Sequence, residues 1–278
     1  MTDSRPIGVF DSGVGGLTVL RELRRQTPSE RLLYIADLAN FPYGPRPQAD
    51  VRERALGIID ALTALDTKLV VIACNTATAA ALDRARERFD IPVVGVIAPG
   101  AQAAVLTTRN GRIAVLSTEG TLRSQAYVHA IKEANPGVAV LGIAAPALVD
   151  IVEDGAADTP RADAALRLVL RDVVEWGADT LVLGCTHYPL LRAALRRVIR
   201  RRHIAVVDSA ETTAARVRRI LAVNRLAARA GRQGTLDLFV TDAPERFSET
   251  AARLFGETLG PPRMFMIGEP ALRVVAER

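Results

Sequence analysis

A chain of 278 residues, 49% apolar and with a net charge of +5, fits one large domain or two modest ones with full cores. Aromatics make up only 4%, which suits parallel strands of Ala, Val and Leu covered by helices on both faces. No stretch reaches the roughly 18 uncharged apolar residues of a membrane span, and MTDSRPIGVFDSG carries no signal core, so a cytoplasmic protein with no membrane partner is expected.

Ile7–Phe10 reads as a buried strand, followed by Asp11-Ser12-Gly13-Val14-Gly15-Gly16 and a helix through Leu17, Leu20 and Leu23. The glycines miss the GxGxxG spacing, which weakens a nucleotide-dependent reductase reading. They suit a tight turn that aims backbone N–H groups at a carboxylate. Asp11 and Ser12 end the strand, where α/β sheets place ligand contacts, although Asp11 also suits a helix N-cap. Leu32–Ile35 is a second strand, and Asn40-Phe41-Pro42-Tyr43-Gly44 a loop in which Tyr43 offers a hydroxyl. Gln48–Ala64 is helical, with Val51, Ala55, Ile58, Ile59 and Leu62 as its apolar positions. Leu69–Ala73 delivers Cys74 to a helix that opens with Asn75, Thr76 and Thr78. A thiol at a helix N-terminus ionises more readily. Ile91–Val96 is a fourth strand, and Ala101–Thr107 a helix leading onward.

The pattern then starts again. Ile113–Thr118 aligns with Ile7–Ser12, and Val138–Leu141 with Leu32–Ile35. LVLGCTHYPLL at 181–191 repeats LVVIACNTATA at 69–79, so Cys185 stands where Cys74 stood. Ile204–Asp208 aligns with Ile91–Gly95. In the second half Pro146–Glu153 carries Asp150 and Glu153, and Arg161–Trp176 is a helix whose apolar face is Ala164, Leu168, Val169 and Val173, ended by Gly177. The cluster Arg196, Arg197 and Arg200–Arg202 fits a solvated helix end better than a nucleic-acid patch, because no aromatics interleave with it. A helix from Glu211 to about Arg229, a strand Leu236–Val240, a helix Arg246–Phe255 and an extended segment Met264–Glu269 have no counterpart in the other half. The expected architecture is therefore two similar parallel-sheet α/β domains related by internal duplication, with the active site in the cleft between them. Their ranges are 1–98 plus 209–278 on the Cys74 side, and 99–208 on the Cys185 side.

Two thiols facing one reduced cleft allow three chemistries. A zinc site is poorly supported by three histidines (His129, His187, His203) and no Cys-x-x-Cys spacing. The missing spacing also argues against a redox pair. The third option is an acid and a base on opposite faces of one carbon, inverting a stereocentre, and a duplicated half serves that directly.

IGVFDSGVGGLTV at 7–19, PYG at 42–44, ACNTATA at 73–79 and GCTHYPLL at 184–191 resemble glutamate racemases of the cofactor-independent aspartate/glutamate racemase superfamily. DAPERF at 242–247 is a looser match. The resemblance implies interconversion of L- and D-glutamate with no pyridoxal phosphate and no metal, in a cytoplasmic homodimer supplying D-glutamate for peptidoglycan. Aspartate racemase is the runner-up. The resemblance also implies roles. Cys74 deprotonates D-glutamate, assisted by Asp11. Cys185 deprotonates L-glutamate, assisted by His187 and Glu153. Asp11, Ser12, Tyr43, Gly44, Asn75, Thr76, Thr118, Thr186 and His187 hold the amino acid.

Overall fold

The computed structural model describes residues 2–200, 202–256 and 259–266. In chain order the elements are β1 (Ile7–Asp11), α1 (Leu17–Gln26), β2 (Leu32–Ala36), α2 (Gln48–Ala64), β3 (Leu69–Ile72), α3 (Asn75–Arg88), β4 (Val93–Gly95) and α4 (Ile97–Thr107). Then come β5 (Arg112–Ser117), α5 (Glu119–Ser124), α6 (Ala126–Ala134), β6 (Ala139–Ala144), α7 (Ala147–Glu153), α8 (Pro160–Glu175), β7 (Thr180–Gly184), α9 (Arg192–Ile199) and β8 (Ala205–Asp208). The chain continues through α10 (Ser209–Val223), β9 (Leu236–Val240), α11 (Pro244–Phe255) and β10 (Arg263–Met264).

The strands form two parallel sheets, one of six strands in the order β10-β9-β2-β1-β3-β4 and one of four in the order β6-β5-β7-β8. The second repeats the β2-β1-β3-β4 portion of the first, so the duplication read from the sequence is a duplication of topology. Register tests it residue by residue. Ile7 pairs with Leu69 and Ile113 with Thr180, which makes Cys74 and Cys185 equivalent. Ile7 also pairs with Leu32, but Ile113 pairs with Val140, so Leu32 corresponds to Val140 and not to Val138. A shift of two residues leaves every side chain on its original face, so alternation alone cannot detect it.

Both sheets are buried on both faces. In β3, Leu69, Val71 and Ala73 enter the core under α1 and α10, while Val70, Ile72 and Cys74 enter the core under α2 and α3. In β7, Leu181, Leu183 and Cys185 enter the core under α7, α8 and α9, while Val182 enters the one under α4 and α6. Each cysteine thus continues the alternating row of its own strand, two residues on from Ile72 and from Leu183.

Three helical expectations shift. The buried face of α8 is Ala162, Leu166, Leu170 and Val173, and Leu168 is 66% exposed. Helix α10 stops at Val223 instead of running to Arg229, because Arg225 takes a left-handed φ of 58°. The Leu226 N–H then closes back on the Leu221 carbonyl at 2.9 Å, a Schellman ending. After Cys185 the chain makes one 3-10 turn, Tyr188–Leu191, before α9 begins. Of the extended segment expected at Met264–Glu269, only Met264 falls in β10, and residues 267–269 lie outside the described residues. No described helix is long and apolar enough to cross a membrane.

Candidate active site

The carboxyl ends of β1, β3, β5 and β7 open onto one cavity of about 220 Å³, lined by both cysteines together with Ser12, Asn75, Thr76, Thr118, Thr186 and His187. Parallel α/β sheets place ligands at this end because the helix N-termini and loop N–H groups converge there. Cys74 is the N-cap of α3, so the cavity also receives that helix's free N–H groups. Both cysteines are free thiols and nearly buried.

The groups behind the two sulfurs differ: a buried carboxyl on one side and an imidazole paired with a carboxyl on the other. Cys74 Sγ donates to Ser12 Oγ at 3.8 Å. Burial, then the nearby Asp11 carboxyl, push the Cys74 thiol up to about 12, against opposing pulls from the Ala77 N–H and Ser12. Asp11 lies beneath the cavity floor. Its Oδ2 accepts from the N–H groups of Gly13 (3.0 Å) and Gly16 (3.1 Å), and its Oδ1 accepts from Thr186 Oγ1 at 3.4 Å. Asp11 is not the N-cap of α1, which is Gly16; its carboxyl instead ties down the loop before that helix and faces Thr186. Burial raises its pKa, opposed by the His187 charge and by those donors.

On the other side, His187 Nδ1 lies 3.9 Å from Cys185 Sγ, and its Nε2 lies 2.6 Å from Glu153 Oε1. Burial alone would lower the imidazole pKa. The hydrogen bonds and negative charges of Cys185 and Glu153 outweigh it and hold His187 up to about 10. Negative charge on the Cys185 sulfur therefore has a counter-charge beside it, while Cys74 is held as a neutral thiol. Such a pair can take a proton from one face of a carbon and return one to the other.

The lips of the cavity come from both sheets. Gly44 accepts from the Gly120 N–H at 3.0 Å, and Gln48 Nε2 donates to the Gly120 carbonyl at 3.0 Å. Thr76, Thr118 and Thr121 hydroxyls form a triangle of 2.9, 3.1 and 3.4 Å across the same seam. Tyr43 lines the cavity, but its hydroxyl already donates to Asp37 Oδ2 at 2.5 Å, so its ring and not its O–H is what it presents.

Residues 7–217 match the family described as Asp/Glu/Hydantoin racemase. The chain belongs to that family. Many relatives 42–48% identical to this chain are glutamate racemases. That of Saccharopolyspora erythraea is 46% identical over 254 residues, 91% of this chain and 93% of its own. The glutamate racemase of Thermus thermophilus, solved in complex with beta-chloro-D-alanine, is 40% identical with a TM-score of 0.86, over 94% of this chain and 96% of that one. The glutamate racemase of Francisella tularensis, solved in complex with D-glutamate, is 27% identical with a TM-score of 0.88, over 96% and 99%.

In this racemase-family chain, every residue read from the sequence as catalytic or substrate-binding lies in the cavity wall, except Asp11 and Glu153. Those two stand one hydrogen bond behind the wall. The sequence reading missed Phe41, Pro42, Pro45, Glu119, Pro146, Val149 and Asp150 as wall residues. Phe41 packs its ring against His187 with centroids 6.0 Å apart, and it sat inside the loop already singled out. Pro146 and Val149 carry no local chemical signal, and only the fold brings them to the site.

Proposed function

We infer that this chain is a cofactor-independent glutamate racemase working by a two-base mechanism. The observation that carries the reading is one cavity with a thiol from each of two duplicated sheets, the Asp11 carboxyl behind one and the His187–Glu153 pair beside the other. In the L-to-D direction Cys185, as thiolate, takes the α-proton, and Cys74, as thiol, delivers its own proton to the opposite face. The return reaction reverses the roles, so atoms and charge balance in each turnover. His187, held by Glu153, stabilises the Cys185 thiolate. Burial, reinforced by Asp11, keeps Cys74 protonated until the carbanion needs a proton. The two carboxylates of glutamate find donors in Ser12, Asn75, Thr76, Thr118, Thr186 and the N-terminus of α3, while Tyr43 and Gly44 shape the wall.

The reading takes residues 1–98 with 209–278 as one domain and 99–208 as the other, crossing near 97–100 and 208–210. It further takes the product to be D-glutamate for peptidoglycan, made in the cytoplasm by a homodimer. The test is circular dichroism of L-glutamate and, separately, L-aspartate with chelator-treated protein and no added cofactor. Decay of the glutamate signal to zero with aspartate unchanged is expected. Decay with aspartate alone assigns the chain to the sister reaction, and no decay with either from folded, reduced protein sinks the reading.

A further inference from the structure

One buried polar group in the cavity wall is left without a partner. Asn75 is 2% exposed, and its Nδ2 makes no hydrogen bond among the described residues. Its Oδ1 accepts from the Tyr127 hydroxyl at 2.8 Å. Tyr127 belongs to α6, on the other side of the seam and 52 positions away, and is itself 3% exposed. We propose that Tyr127 is a positioning residue for substrate, holding the Asn75 side chain with its amide nitrogen turned into the cleft. The proposal rests on the glutamate reading above.

The argument begins with the symmetry of an amide. Its two ends are almost the same size, so packing does not decide which faces the cleft, whereas hydrogen-bond chemistry does. A phenol O–H donating from one side draws the oxygen to it and leaves the NH2 group facing the other way. There the NH2 is a buried donor in need of an acceptor, and leaving it unmatched is unfavourable. A carboxylate oxygen of the substrate supplies the acceptor. The reverse orientation would set a carbonyl oxygen against an anion.

Tyr127 is well seated for this task. A Cβ on Gly184, the residue before Cys185, would lie 3.0 Å from the Tyr127 ring, and a Cβ on Gly100 would lie 3.5 Å from its hydroxyl. The ring therefore lies against the strand end that carries one cysteine, while its hydroxyl reaches the residue following the other. Phenylalanine keeps the ring and removes the hydroxyl, and with it both the donor to Asn75 and the contact with Ser209.

The test is steady-state kinetics in both directions for wild type, Tyr127→Phe, Asn75→Ala and the double variant, with thermal melts alongside. Tyr127→Phe is expected to raise KM for glutamate about tenfold, equivalent to roughly 1.4 kcal/mol, with kcat little changed, the signature of lost uniform binding. In the Asn75→Ala background the Tyr127 change should add nothing, because the group it orients is gone. Asn75→Asp, which keeps the Tyr127 hydrogen bond but turns an oxygen into the cleft, should bind more weakly than Asn75→Ala. Active wild type with Tyr127→Phe at wild-type KM, additive effects in the double variant, or Asn75→Asp binding as well as Asn75→Ala each overturn the positioning role. A wild type inert with glutamate sinks the underlying reading and this proposal with it.

Discussion

Serine at either cysteine position keeps the size of the side chain and removes its ability to ionise near neutral pH. Cys74→Ser and Cys185→Ser should each lower racemisation by about 10²- to 10⁴-fold, the usual contribution of a positioned acid or base. Each variant should keep α-proton exchange on one enantiomer, L-glutamate for Cys74→Ser and D-glutamate for Cys185→Ser. Proton NMR in D2O reads this directly, and wild-type turnover by either variant would reject the two-base assignment. The supports predict a pH dependence of stability. Folded His187 is held up to about 10 while its ordinary value is 6.5. Between those values the native state binds a proton that the unfolded chain has released. Stability from this group is therefore full below pH 6.5 and declines as pH rises toward 10. Cys74, raised from 9.0 to about 12, continues the decline in the same direction. Glu153→Gln removes one support of His187, so the upper end of the first window should move to lower pH in a series of thermal melts. An unchanged window would show that Glu153 does not hold the imidazole charged. The cysteines were legible in the sequence because a lone apolar strand running into Cys and then into polar residues occurs twice. Tyr127 was not, because its partner lies 52 positions away and only the fold joins them.

Elements meet at the cleft through glycines. A Cβ at Gly120 would lie 2.7 Å from the Gly44 carbonyl oxygen, which is backbone and cannot swing aside. Gly120→Ala should force the two lips apart, destabilising the fold by about 1–3 kcal/mol, as overpacking does, and raising KM. Denaturant unfolding and kinetics on the same preparation check this, and an unperturbed KM would show that the lips need not touch for binding. Gly15 plays the same part deeper in the site, where a Cβ would lie 2.4 Å from Thr186 Oγ1 and 2.6 Å from His187 Nδ1. At this scale the sequence told element type well and boundaries less well. The β2–β6 correspondence slipped by two residues because the strand period is two. The end of α10 was missed because its stop is a left-handed arginine instead of the glycine or proline that usually marks one. The face of α8 was assigned to Leu168 because alanines and leucines surround it on every side of the helix.

Across the whole molecule, the end of the first sheet away from the cleft is held by a buried ion pair. Lys68 Nζ lies 2.5 Å from Glu30 Oε2 and donates to the Asp3 carbonyl at 2.7 Å, while Glu30 Oε1 accepts from the Ala228 N–H at 2.8 Å. Four chain segments thus converge on two charges, one of them from the stretch after α10. Lys68→Met would strand a buried carboxylate and should cost about 3–5 kcal/mol of stability. It should leave kcat intact, because Lys68 precedes β3 while Cys74 follows it. Loss of kcat in fully folded Lys68→Met protein would show that the far end of the sheet sets the geometry of the cleft.

The unequal supports of the two thiols carry a thermodynamic restriction. Enantiomers have equal free energies in water, so the equilibrium constant of racemisation is unity whatever the protein does. The Haldane relation then forces kcat/KM to be the same in both directions. A carboxylate behind Cys74 and an imidazolium behind Cys185 can therefore make turnover numbers and Michaelis constants differ between L- and D-glutamate, but only in compensating proportion. Whichever enantiomer the charge asymmetry helps to bind must turn over more slowly by the same factor.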